Sequence, residues 1–178
     1  MKKVIKKCRI RNHDDFEKRL SDIGMDFGMV YWQHDRVFVP RNFKKNMNFP
    51  RLILRTEMRA VDRPARYELI LKRHIEDSGV DIVDETVVKD YAETANLILQ
   101  LGFKVESEVS RQRKDIDMGG GTVIHLDKVE NLSGYYAKME SVISEGETVS
   151  EIETDLIETL STLGENNFID QPYFELLQ

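Results

Sequence analysis

The sequence predicts an α+β domain in which a strand-rich sheet, closed or nearly closed on itself, carries about three helices on its outside. Three observations predict it. Stretch after stretch alternates apolar and charged residues at a period of two, as strands with one dry and one wet face do. Only three segments carry the spacing of amphipathic helices. Nothing in residues 1–178 reads as a linker, so the chain is expected to form one domain.

Eight or nine strands are expected. Residues 4–11 put Lys3, Ile5, Lys7 and Arg9 on one face and Val4, Lys6, Cys8 and Ile10 on the other. Asn12 or His13 caps a helix whose Phe16, Leu20 and Ile23 share a stripe, and Gly24 closes it. Residues 29–34 and 36–39 read as a hairpin pair ended by Pro40, with Tyr31 and Trp32 expected in the core. The basic loop 41–50 holds Lys44 and Lys45; it is expected to be solvated, with a lid as its functional alternative.

Residues 51–57 then align Arg51, Ile53, Arg55 and Glu57, residues 66–72 align Arg66, Glu68, Ile70 and Lys72, and residues 80–89 align Asp81, Val83, Glu85 and Val87. Asp90 and Glu93 open a helix with Leu97 and Leu101 as its stripe and Gly102 as its stop. In 107–113, Arg111 and Arg113 project from the same side of a strand. Gly119-Gly120-Gly121 is read as a hairpin tip, because no Lys-Ser/Thr and no helix follow it. Residues 122–127 join His125 to Asp127, and 135–140 set Tyr136, Lys138 and Glu140 against Ala137 and Met139. Thr148 and Glu151 open the last long helix, with Val149, Ile152, Leu156, Leu160 and Leu163 inward and Gly164 after it.

Composition limits the function. At 40% hydrophobic and 33% charged, the 178 residues suffice for a core of their own. A net charge of −6 argues against general nucleic-acid binding, so any anion site must be a local concentration of cations. No apolar run reaches the roughly 18 residues a membrane-crossing helix needs, and no apolar stretch follows the basic N-terminus to make a secretory signal. Cys8 is the single cysteine, which leaves no internal disulfide and no cysteine-based zinc site; a cytoplasmic location and a buried thiol are expected.

Arg111 and Arg113 set the chemical question. Two guanidiniums side by side repel unless they face water or an anion. Most strands repeat the pattern, and three helices are few to cover an open sheet. If the sheet closes, the charged faces line a hydrated interior and the helices pack outside.

The segments Glu85-Thr86-Val87-Val88-Lys89-Asp90, Leu99-Gln100-Leu101-Gly102-Phe103, Val109-Ser110-Arg111-Gln112-Arg113 and 123–130 (Val-Ile-His-Leu-Asp-Lys-Val-Glu), in that order, resemble the CYTH superfamily of class IV adenylyl cyclases and thiamine triphosphatases. Leu52-Ile53-Leu54-Arg55, Leu71-Lys72 and the terminal Tyr173-Phe174-Glu175-Leu176-Leu177 extend the resemblance over nearly the whole chain. It implies an eight-stranded antiparallel tunnel holding a triphosphate on basic side chains and a divalent metal on glutamates. The phosphate-binding positions it implies are Lys7, Arg9, Arg55, Lys72, Arg111 and Arg113; Lys138, standing where the family has an acid, is a further candidate cation, and Glu85, Asp127 and Glu140 are the carboxylates left to hold a metal, with Glu57 and Glu68 as helpers. His125 is expected to be a polar lining residue.

The carboxylate half departs from the family pattern. The opening Glu-x-Glu-x-Lys falls on Lys3-Val4-Ile5-Lys6-Lys7, the first acid of the middle Glu-x-Glu on Val83, and the first acid of the late one on Lys138. Two functions follow. One is a binding module that captures a nucleotide or polyphosphate without a cofactor; the other is a Mg- or Mn-dependent cyclase or triphosphatase. The expected partner is that small anion, with a homodimer compatible and no membrane.

Overall fold

Each stretch of alternation is a strand in the computed structural model, which describes residues 1–44, 49–60, 62–75 and 80–177. Lys45 of the expected lid lies outside the described residues. The strands are β1 (Lys2–Ile10), β2 (Tyr31–Pro40), β3 (Arg51–Met58), β4 (Arg66–Ile75), β5 (Val80–Val88), β6 (Phe103–Gly119), β7 (Thr122–Val129) and β8 (Tyr135–Val142). They pair antiparallel in the order β1-β5-β4-β3-β2-β6-β7-β8, and β8 returns to β1, so the ring closes. Closure removes the unpaired edges that an open sheet presents.

Register makes the charged faces continuous. Asp35 stands opposite Arg55, Arg55 opposite Glu68, Arg113 opposite Asp127, His125 opposite Lys138, and Lys138 opposite Lys7. Directly opposed residues share a face, so these side chains all point into the ring.

The complementary faces make the core outside it. Val4, Cys8 and Ile10 of β1, with Ile124, Leu126, Ala137 and Met139, pack under α1 (His13–Asp22) and α3 (Val149–Thr162) through Phe16, Leu20, Ile152, Leu156 and Leu160. Asn12 caps α1, and Thr148 with Glu151 forms a reciprocal capping box on α3. The helix α2 (Tyr91–Gln100) covers Phe38 and Leu54 with Ala95 and Ile98. At the end where β1, β2 and β7 finish, the inner face turns apolar. Val37, Val109, Val129 and Tyr136 receive Tyr173 and Phe174 from a fourth, short helix, α4 (Tyr173–Leu176), which stops the tunnel there.

Several expectations need correcting. The hairpin proposed around Asp35 is one strand: β2 runs unbroken between β3 and β6, because its backbone pairs on both sides and the Asp35 carboxylate is taken by Arg55 and Arg111 instead of closing a turn. β6 is 17 residues long and spans both β2 and β7. In α2 the Leu97/Leu101 stripe faces outward, 60% and 75% exposed, because the helix docks on its Ala95/Ile98 side. Ile23 follows α1 and is exposed, as is Trp32, whose even position in β2 points away from the tunnel; Tyr31 is buried. Gly119, Gly120 and Gly121 turn with φ of +80°, +61° and +80°, a run only glycine adopts without strain. No helix among the described residues is long and apolar enough to cross a membrane.

Candidate functional site

Eight strands bring Lys7, Arg55, Lys72, Arg111, Arg113 and Lys138 to one lumen, as their alternation predicts. Arg9, on the same face of β1, is exposed at its end and donates from Nη2 to Ser133 Oγ at 2.7 Å. The cations are not left to repel one another. Arg113 donates from Nε and Nη2 to the two oxygens of Asp127 at 2.6 and 2.7 Å, and Tyr173 adds its hydroxyl to Asp127 Oδ2 at 2.9 Å. Arg55 grips Asp35 with two bonds of 2.7 and 3.0 Å. Arg111 reaches the same carboxylate at 2.8 Å and gives two further bonds to Gln33 Oε1. Lys72 pairs with Asp81 at 2.8 Å, while Lys3 and Lys138 share Glu140 at 2.7 and 2.5 Å.

This corrects the idea that an anion must be present to hold the cluster together: the protein supplies most of the counter-charge itself. Burial alone would push the Asp35 and Asp127 carboxyls up, but Arg111 and Arg55 around the first, and Arg113 beside the second, hold both far below the usual carboxylate range. Glu140 is held down in the same way, first by Lys138 and then by His125 and Lys3.

Two lysines, Lys7 and Lys138, are the exception to full compensation, and Lys72, though paired with Asp81, lies near both. Lys7 has no carboxylate at ion-pair distance among the described residues; its ammonium donates to the Gln171 carbonyl and sits 4.4 Å over the Tyr173 ring. Burial, then Lys72 and Lys138, lower its pKa to about 8. Lys138 is likewise lowered to about 8, by burial first, with Arg113 and Lys72 adding to it and Glu140 opposing. Lys7, Lys72 and Lys138 thus converge from β1, β4 and β8 into an under-neutralised positive spot.

A second polar feature lies beside it. His125 donates from Nδ1 to Asp115 Oδ1 at 2.6 Å, and Asp115 Oδ2 accepts the Tyr31 hydroxyl. The other ring nitrogen, Nε2, is buried without a hydrogen-bond partner, 3.6 Å from Glu140 Oε2.

No family model matches the chain, and no curated protein does. Solved structures do. The PH1819 protein of Pyrococcus horikoshii superposes with a TM-score of 0.85 at 22% identity, over 98% of this chain and 97% of that one. A candidate adenylate cyclase of Vibrio parahaemolyticus gives 0.82 at 16% identity, over 98% and 97%. A candidate adenylyl cyclase of Hippeastrum with a dominant triphosphatase activity gives 0.64 at 14%, over 99% and 95%. The chain shares the fold of these proteins.

A divalent metal, which the sequence resemblance implies, finds no set of free carboxylate ligands among the described residues. Magnesium or manganese needs hard oxygens free to coordinate. Both Asp127 oxygens are taken by Arg113 and Tyr173, and both Glu140 oxygens by Lys3 and Lys138. Glu85 is exposed on β5 and makes no ion pair among the described residues. Of the helpers, Glu57 accepts from Gln33 and Arg59, and Glu68 pairs with Arg66. Among the described residues no group of three His, Cys, Asp or Glu side chains is placed to hold a metal ion.

Asp35, Gln33 and Asp115 belong to the tunnel and went unnoticed in the sequence. Asp35 and Gln33 are in phase with Tyr31 and Val37, and Asp115 continues the Arg111/Arg113 alternation; extending each strand by its own period would have found all three.

Proposed function

We propose that this chain is a binding module that captures a phosphate-bearing anion in its tunnel without a divalent metal. The observation that carries this reading is the convergence of Lys7, Lys72 and Lys138, with Lys7 lacking a carboxylate among the described residues. Lys7 and Lys138, whose protonation burial and neighbouring cations depress, gain most from an anion placed between them. Arg111 and Arg113 stand behind that spot and add field, although their forks already face Asp35 and Asp127. Arg55 and Arg9 play the same supporting part from β3 and from the end of β1. The buried thiol of Cys8, pushed up to about 12 by burial, suits a cytoplasmic protein.

The metal-dependent cyclase or triphosphatase is the second reading, favoured by the fold shared with the Vibrio and Hippeastrum proteins. In it Asp127 and Glu140 would have to exchange their present partners for the ion, with Glu85 joining them. Isothermal titration with ATP and with adenosine monophosphate, each with Mg or Mn and with EDTA, tests both. Binding that EDTA leaves unchanged, with no phosphate or pyrophosphate released, is the expected result. Metal-dependent release of either product overturns the binding-module reading, and no heat with any ligand overturns both.

A further inference from the structure

We propose that the tunnel is built for one phosphoryl group, inorganic phosphate or the end of a phosphomonoester, and not for a di- or triphosphate chain. This rests on the anion-binding reading and specifies its ligand.

Charge is the first argument. Arg113, Lys72 and Arg55 each have a carboxylate in the wall, and Arg111 spends its bonds on Asp35 and Gln33. The double use of Asp35 by two arginines is offset in part by Glu68, which stands in register with Arg55 but also pairs with Arg66. What remains uncompensated is Lys7, together with the surplus left where Lys3 and Lys138 share the single carboxylate of Glu140. With Asp115 ionised beside it, that surplus is at most about two positive charges, nearer to a phosphoryl group bearing −1.5 to −2 near neutral pH than to a triphosphate. A triphosphate would bring roughly twice that charge into a lumen that has already neutralised its other cations.

Position is the second. An anion held between Lys7 and Lys138 has Asp127 on one side, with Tyr173 and the Gln171 carbonyl closing that end. On the other side stand Glu140 and Asp115. On both of these sides a phosphate chain would meet a carboxylate that its partners keep ionised, and across the lumen Lys72 and Arg55 are already paired with Asp81 and Asp35.

His125 supplies the third argument. Its Nε2 is shielded from solvent, unpartnered, and belongs to the residue directly opposite Lys138 across β7 and β8. With Nδ1 donating to Asp115, Nε2 accepts from a protonated oxygen of the bound group when the ring is neutral and donates to an ionised one when it is an imidazolium, with Glu140 Oε2 3.6 Å away. One phosphoryl group thus uses Lys7, Lys138 and His125 at once.

The test is titration of the full chain, in EDTA at fixed ionic strength, with phosphate, glycerol phosphate, pyrophosphate and tripolyphosphate. Phosphate and glycerol phosphate are expected to bind, and the longer chains to gain less than about tenfold over phosphate. The tighter of the first two identifies the source of the phosphoryl group. Tripolyphosphate binding more than about a hundredfold tighter than phosphate overturns the single-group proposal while leaving the anion reading intact. No binding by any of the four overturns the anion reading itself. Glu140→Gln, which keeps the side chain's size, is expected to raise pyrophosphate affinity more than phosphate affinity; an equal rise argues against Glu140 as the barrier to a second group.

Discussion

Arg113 and Asp127 face each other across β6 and β7 and share two hydrogen bonds, with Asp127 wholly shielded from solvent. A buried pair of this kind gains little over an apolar replacement, yet breaking it on one side strands a charge. Asp127→Ala is therefore expected to cost about 3–5 kcal/mol of folding stability. The double change Arg113→Met with Asp127→Leu is expected to cost clearly less than that single one. Urea titration of the three proteins checks both; a double variant less stable than Asp127→Ala would mean the pair contributes more than charge balance.

Asp35 makes the opposite test, because it restrains two arginines at once. Asp35→Asn is expected to lower stability by a few kcal/mol and to raise phosphate affinity by about tenfold, since Arg55 and Arg111 lose their built-in counter-charge. Calorimetry on the variant reads both quantities. Lower affinity would place Asp35 among the groups that orient the cations for the ligand.

What the sequence revealed and what it hid divide along the range of the interaction. Arg55, Arg111 and Arg113 were legible because alternation within one strand fixes which face a side chain takes. Asp35 was hidden by a misplaced hairpin, and with it the salt bridges that neutralise the lumen, since β2 meets Arg111 across 76 residues of chain. Pairing register over such separations leaves no local trace. The α2 stripe misled for a related reason: Leu97 and Leu101 have helical spacing, but the tunnel wall, Phe38 and Leu54, decides which side docks. That Lys3, Val83 and Lys138 stand where the resemblance implies acids was legible in the sequence, while the engagement of Asp127 by Tyr173 needed the folded end of the chain.

Lys7 gives a pH signature with a definite sign. Its folded pKa of about 8, against the ordinary 10.5, means that below pH 8 the folded state bears the full cost of a buried ammonium. Between these values the unfolded chain binds more protons, so this contribution to stability rises with pH and is complete near 10.5. Cys8, raised to about 12, works against it above about 8.5, so the effect is read as a difference between proteins. Lys7→Met is expected to be more stable than the parent by a constant margin below pH 8, shrinking to nothing by about pH 10.5. Denaturant titrations across that range check it. Saturating phosphate should narrow the margin at pH 7, because the anion stabilises the charged form.

Tyr173 separates closing the tunnel from charging it. Its ring packs edge-on to Tyr136 at 5.5 Å and lies under the Lys7 ammonium, while its hydroxyl completes Asp127. Tyr173→Phe keeps the ring and leaves Asp127 both bonds from Arg113, so a cost of about 1–2 kcal/mol is expected, with phosphate affinity within about threefold of the parent. Tyr173→Ala removes the ring as well, opens a cavity among Val37, Val109 and Val129, and is expected to cost about 3–5 kcal/mol. It also admits water to Lys7, which restores that amine toward its ordinary pKa and weakens its hold on the anion. Urea titration and calorimetry on both variants follow the two effects separately. If phosphate binding in Tyr173→Ala matched the parent while stability fell as expected, the dry end of the tunnel would serve folding alone.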